Sequence, residues 1–221
     1  MKPYVTEAIE SVLAQTRQDF EVVVVDSGQW VGRGDELGKA MRRAYLRHHT
    51  HPKVRWTFTN EPADLRASRC PVSWATNLTI RKGGLGDYIC TFYDDDLYYP
   101  AFFERMAGYL DEHPDALAVW CSQDRIALDR NGQTRTTGHI PATGPKHPGE
   151  MDCRVDGAQV MFRREALDLI GDPWMDENPG TCGHSDGLFL ERLAQVCGEI
   201  PAIPDTLLAH RATPISTYSP T

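Results

Sequence analysis

The segment Phe20-Glu21-Val22-Val23-Val24-Val25 restricts the fold more than any other part of the chain. Four successive valines stiffen χ1 and disfavour a helix, and a run that is apolar at every position leaves no face for water. Such a run fits a strand inside a parallel sheet that is covered by helices on both faces. Asp26-Ser27-Gly28 ends it.

The surrounding pattern agrees. Val5, Ala8, Ile9, Val12, Leu13 and Thr16 recur at helical spacing, so the periodicity predicts a helix over 3–16, ahead of the valine strand. A second helix fits 35–48, with Leu37, Ala40, Met41, Ala44 and Tyr45 on one stripe, and Val54, Trp56 and Phe58 alternate as a strand should. Pro71 opens a helix to about Lys82, closed by Gly83-Gly84. Asp87–Tyr93 reads as a strand ending in Asp94-Asp95-Asp96, and Pro100 starts a helix that carries Phe103, Met106, Ala107 and Leu110 inward. This alternation is the mark of an α/β sheet with helices on both faces.

Ala116–Ser122 is another strand. Then Asp129-Arg130-Asn131-Gly132 signals a small antiparallel hairpin. Three prolines and two glycines in 139–150 predict a mobile loop. Val155–Phe162 reads as a strand, 163–170 as a helix, and Ser185 as the N-cap of a last helix through Val196.

At 221 residues there is room for one sizeable domain. The formal charge of −8 disfavours a nucleic-acid partner. The longest aliphatic run is far short of the ~20 residues of a spanning helix, and Glu7 and Glu10 interrupt the apolar stretch near Met1, so neither a transmembrane segment nor a secretory signal is expected. Six cysteines without a C-x-x-C pair argue against zinc and, with no signal, for free thiols in a cytoplasmic protein.

In open α/β sheets ligands bind beyond the carboxyl ends of the strands, where Asp26 and the Asp94-Asp95-Asp96 triplet fall. Three adjacent carboxylates repel one another unless a cation neutralises them, and hard oxygen ligands suit Mg²⁺ or Mn²⁺. Such a metal takes its remaining ligands from water and a substrate diphosphate.

Four segments resemble the family 2 glycosyltransferases of the GT-A fold. Tyr4-x5-Ile9-Glu10-Ser11-Val12-Leu13-x-Gln15-Thr16 looks like that family's first helix, and Phe20–Gly28 is similar to its "fEiivVDDGS" strand. Gly86-Asp87-Tyr88-Ile89-x3-Tyr93-Asp94-Asp95-Asp96-x3-Pro100 resembles "GeyIafLDdDDxxxP". Phe162–Leu167 followed by His184–Leu193 resembles "frrealeevG…EDxdLwlRl". The resemblance spans nearly the whole chain. It implies a single GT-A domain over 1–221 with a mostly parallel central sheet, a nucleotide-binding half over 1–123 and an acceptor-binding half over 124–221.

The implied activity is metal-dependent, inverting transfer of a sugar from a nucleotide-diphosphate donor to a glycan, lipid-linked or other hydroxyl acceptor. The resemblance makes Asp26 the contact to the base, Asp94 and Asp96 further nucleotide-sugar contacts, Asp95 the metal ligand and Asp186 the general base. A late His in some GT-A enzymes binds metal, which points to His210. Trp174 and His184, on the loop ahead of Asp186, are the acceptor-binding candidates. Tyr93, Thr76 and Ser185 stand where the family has an Asp, an Arg and a Glu. The family's opening strand has no counterpart ahead of Tyr4, which leaves either an earlier start of the gene or a site without that wall. A non-catalytic sugar- or nucleotide-binding protein is the alternative reading, and a nucleotidyltransferase the third; the latter's Gly-rich loop has a faint echo in 26–34.

Overall fold

In the computed structural model, residues 4–26, 34–59, 68–128, 131, 133–152 and 154–212 are described. The readings above that fall on Ser27 to Arg33, most of the 129–132 turn, Cys153 among the six cysteines and the Leu37 side chain lie outside the described residues.

The order of elements begins α1 (Val5–Leu13), β1 (Val22–Asp26), α2 (Glu36–His48), β2 (Val54–Phe58), α3 (Pro71–Arg81), β3 (Tyr88–Cys90) and β4 (Asp96–Tyr98). It continues through α4 (Phe102–Glu112), β5 (Ala118–Leu128), β6 (Thr134–Ile140), β7 (Val160–Arg163), α5 (Glu165–Ile170), α6 (Ser185–Cys197) and β8 (Ala202–Arg211). The α/β alternation expected from the sequence holds through the first half. Asp35 caps α2 by accepting from the Gly38 N–H at 3.0 Å.

The strands form two sheets. β1 and β2 pair in parallel, and the other six run β3-β7-β5-β8-β4 with β6 on the second half of β5. Pairing is mixed: β5–β8 is parallel, whereas β3–β7, β5–β7, β4–β8 and β5–β6 are antiparallel. The expected hairpin is β5–β6.

One core packs Phe102, Met106 and Leu110 of α4 against Val119, Cys121 and Leu208. A second packs Phe189, Leu190 and Leu193 of α6 against Trp120, Val160 and Phe162. A third joins Val5 and Ile9 of α1 to Met41, Ala44 and Val54. Val22–Val25, expected to be buried on both faces, are only half-buried. Between the end strands β1 and β3 lies a cavity of about 1170 Å³.

Several local expectations are corrected. The Asp triplet does not end a strand, because Asp96 opens β4 and pairs with His210 of β8. Val155–Phe162 starts as a 3₁₀ turn at Gly157–Gln159, since Asp156 accepts from the Ala158 N–H and Gln159 returns to the Asp156 N–H in a capping box. The 139–150 segment is pinned rather than mobile. Its first two residues belong to β6, Lys146 bridges Ile200, and the Glu191 carboxylate accepts from the Gly149, Met151 and Asp152 N–H groups at 2.7, 2.7 and 2.9 Å. Cys70 and Cys182, expected as free thiols, form a disulfide: the fold brings their Cα atoms to 5.0 Å across 112 positions. α6 starts at Ser185, with His184 rather than Ser185 at the cap.

Candidate functional site

The site gathers where β3, β4, the 3₁₀ turn, α6 and β8 meet. Asp96 is fully buried on β4, and its cross-strand register against β8 places His210 opposite it. The His210 Nδ1 stands 2.8 Å from Asp96 Oδ1 and 3.7 Å from Asp156 Oδ2. The second oxygen of Asp96 is buried with no hydrogen-bond partner. Burial, with the charges of Asp156 and Asp95, pushes the Asp96 carboxyl up to about 7 against the opposing hydrogen bond from His210. For His210 burial acts to lower the value, but the hydrogen bond and negative charge of Asp96, then Asp156 and Asp95, outweigh it and leave it raised.

Asp186 lies in the first turn of α6, as the sequence suggested. Burial and then the charge of Asp156 raise its carboxyl above the usual carboxylate range, while the N–H groups of Gly187, Asp186 and Gly157 act in the opposite sense. Tyr93 sits in the same field: burial, then Asp186, Asp156 and Asp96, hold its phenol well above the ordinary value. The approach is close enough to require glycine at 157. A Cβ there would stand 2.7 Å from the Tyr93 hydroxyl and 3.5 Å from the Asp186 Cβ.

Asp94, Asp95, Asp96, Asp186 and His210 therefore stand on neighbouring elements, joined by a carboxylate the sequence reading did not single out, Asp156. Its signal was available: Asp156-Gly157-Ala158-Gln159 puts an acidic cap three residues ahead of Gln159. Asp26 is fully buried at the carboxyl end of β1, in the other sheet, and Asp95 is also buried. Trp174 packs on the α6 core and donates its indole N–H to the Leu167 carbonyl at 2.8 Å. His184 is exposed at the cap of α6. Arg163 clamps the Ala116 and Leu110 carbonyls at 2.9 and 2.7 Å. Arg125 and Arg154 line a small void of about 20 Å³ beside Asp156 and His210.

Asp95 and His210 could supply the hard oxygen and imidazole donors that suit Mg²⁺ or Mn²⁺, with the buried Asp96 carboxylate on the Nδ1 side of the His210 ring. Among the described residues no three acidic, His or Cys groups already converge as a metal cluster. The donor chemistry thus fits a metal that takes part of its shell from substrate and water.

No family model matches the chain. Protein CgeD of Bacillus subtilis (strain 168) is 26% identical over 194 residues, 86% of this chain and 43% of that protein. The uncharacterized protein y4gI of Sinorhizobium fredii is 29% identical over 134 residues, 61% of this chain and 13% of that one. The chain spans less than half the length of these relatives. A crystal structure of GalNAc-T7 with UDP, GalNAc and Mn²⁺ superposes at a TM-score of 0.61 and 12% identity, covering 93% of this chain and 40% of that one. At that identity the likeness establishes the fold: a mixed α/β architecture similar to that of a GT-A glycosyltransferase. Membership in family 2 rests on the motifs alone. Among the described residues no helix is long and apolar enough to cross a membrane.

Proposed function

We propose that the protein is a metal-dependent glycosyltransferase of family 2 type that moves a sugar, with inversion, from a nucleotide-diphosphate donor to a hydroxyl acceptor. The observation that carries this reading is the pairing of buried Asp96 with His210, with Asp156 at its side and Asp186 in the same electrostatic field.

In this proposal Asp95 and His210 hold Mg²⁺ or Mn²⁺. Asp96 accepts from His210 Nδ1, which fixes the tautomer and leaves the lone pair on Nε2. When bound, the metal neutralises negative charge developing on the leaving diphosphate. Asp26 and Asp94 contact the nucleotide from the residue 1–123 half, while Trp174 and His184 face the acceptor from the 124–221 half. Arg125 and Arg154 supply the cations that Thr76 does not. Asp186 takes the acceptor hydroxyl proton. Its raised value strengthens it as a base, as a carboxylate in a partly buried acidic site should be.

Titration calorimetry with UDP, GDP and dTDP in Mn²⁺ is the first test, and binding of none of them overturns the proposal. With a donor found by nucleotide-sugar hydrolysis, Asp186→Asn should keep nucleotide affinity and lose transfer by about 10²–10⁴-fold. Unchanged turnover would remove Asp186 as the base. The wide opening between β1 and β3 favours a second reading, a non-catalytic nucleotide- or sugar-binding protein, which predicts the same binding with no turnover on any donor.

A further inference from the structure

The segment that leads into α6 is anchored unevenly. Its first part is docked on α3 by hydrogen bonds: the fully buried Asn77 donates to the Met175 carbonyl and to Glu177 Oε1 at 2.8 and 2.9 Å and accepts from the Met175 N–H at 2.9 Å. The Cys70 N–H, just ahead of α3, donates to the Glu177 carbonyl at 2.7 Å. Beyond Glu177 the 3₁₀ turn Pro179–His184 buries none of its residues. Among the described residues, the hydrogen bonds of 178–183 close locally. Asp176 accepts from the Asn178 N–H and the Thr181 hydroxyl at 3.0 and 2.8 Å, and Asn178 accepts from the Gly180 and Thr181 N–H groups at 2.9 and 3.2 Å. The Ser185 hydroxyl donates to the Cys182 carbonyl at 3.3 Å.

The turn reaches α3 through the Cys70–Cys182 disulfide. A segment with no buried side chain and only local hydrogen bonds opens at little cost, so the covalent bond carries the attachment. Its two ends differ in access. Cys70 is fully buried, whereas Cys182 is half-buried in a turn whose Pro179, Gly180, Gly183 and His184 are exposed. Cys182 Sγ is therefore the sulfur open to an attacking thiolate.

We propose that the Cys70–Cys182 bond is a reducible latch that holds the acceptor-side turn against α3. A dithiol reductant opens it: one thiolate attacks Cys182 Sγ, the S–S bond breaks, and Cys70 Sγ leaves with the electron pair and takes up a proton. The second thiolate of the reductant attacks its own sulfur in the mixed disulfide, closing the reductant's disulfide and releasing Cys182, which is protonated in turn. The reductant is oxidised by two electrons and the protein gains two S–H groups. The Asp186 carboxylate is held independently, by the N–H groups of Gly187, Asp186 and Gly157. Opening the latch thus loosens the turn and its His184 without displacing Asp186, and the consequence for acceptor binding rests on the glycosyltransferase reading.

The test compares the full chain before and after dithiothreitol, with Cys70→Ser/Cys182→Ser as the latchless form. Iodoacetamide in urea should label Cys70 and Cys182 only after reduction; labelling of both beforehand overturns the latch. Hydrogen exchange at Gly180 and Thr181 should quicken by at least about 10-fold on reduction while Val119 of β5, the folding control, keeps its rate. Unchanged exchange in the turn, or equal quickening at Val119, overturns the proposal, the latter by making the bond a global staple. The double variant should match the reduced chain and ignore dithiothreitol. A response to the reagent would assign the effect to other cysteines, and failure of the variant to fold would make the bond a folding requirement; either overturns the latch. UDP affinity in Mn²⁺ should stay within about 2-fold on reduction, while transfer to p-nitrophenyl glycosides should lose about 10-fold in kcat/KM through acceptor KM. A loss through kcat alone would overturn the acceptor-side role. Absence of nucleotide binding in both redox forms overturns the glycosyltransferase reading instead, and the exchange rates then decide the latch by themselves.

Discussion

β1 and β5 are both rich in apolar residues, and the molecule treats them differently. In β5, Val119, Trp120 and Cys121 are 0, 2 and 0% exposed, because β7 and β8 flank the strand while α4 and α6 close its faces. In β1 the four valines have β2 on one side and, among the described residues, a cavity on the other. Burial of a strand is thus decided by its neighbours rather than by its composition. The acidic cluster lies at the larger sheet, where the pairing of β4 with β8 sets Asp96 opposite His210.

The largest expected effect tests that contrast in stability. Trp120→Ala should cost about 3–5 kcal/mol in urea unfolding, whereas Val24→Ala should cost less than about 1 kcal/mol, because its methyl groups are only partly removed from water. Equal losses would show the two sheets to be equally closed. Next, Asp96→Asn should weaken Mn²⁺-dependent nucleotide binding by about 10–100-fold in calorimetry while leaving Asp26 and its strand untouched, as expected for a residue that orients a ligating histidine.

Glu191→Gln should lower stability by about 1 kcal/mol by weakening three charge-assisted bonds to the 149–152 backbone. Burial alone would raise the Glu191 carboxyl, but the three N–H donors leave it below 4.5. Its contribution is therefore present above the unfolded value and disappears as pH falls through the folded one. The variant should show a shallower loss of stability with acid. The smallest effect concerns Asp156, whose charge raises Asp186. Transfer should need a deprotonated Asp186 and so decline as pH falls through a midpoint above the usual carboxylate range. Asp156→Asn, which retains the cap, should move that midpoint to lower pH. An unmoved acid limb would show that Asp156 does not act on the base.

The sequence revealed the elements whose signals are local. Valine runs, helical stripes and Pro starts located most of the first half, Asp26 and Asp186 stood out because one sits where a strand ends and the other where a helix begins, and the Asp triplet stood out because three carboxylates adjoin. What it concealed depends on distant partners. Asp96 meets His210 across 114 positions, and Cys70 meets Cys182 across 112, and neither spacing has a local pattern. The proline- and glycine-rich 139–150 segment looks mobile until Glu191, about 40 residues later, holds its end through backbone N–H groups. The division of the strands into two sheets was equally invisible, since alternation specifies strands without specifying which edges find neighbours.

The Cys70–Cys182 link joins the residue ahead of α3 to the turn that leads into the helix bearing Asp186. Topologically it turns the middle of the polypeptide into a ring, with α1 to β2 as one tail and α6 to β8 as the other. By chain-entropy reasoning, closing a ring of that size removes about 4–5 kcal/mol of disorder from the unfolded chain, comparable to the net stability of a whole small domain. The thiol content of the solvent thereby becomes a thermodynamic variable of this molecule on the same footing as temperature, and the cyclic and linear forms are to be compared as two polymers of identical sequence.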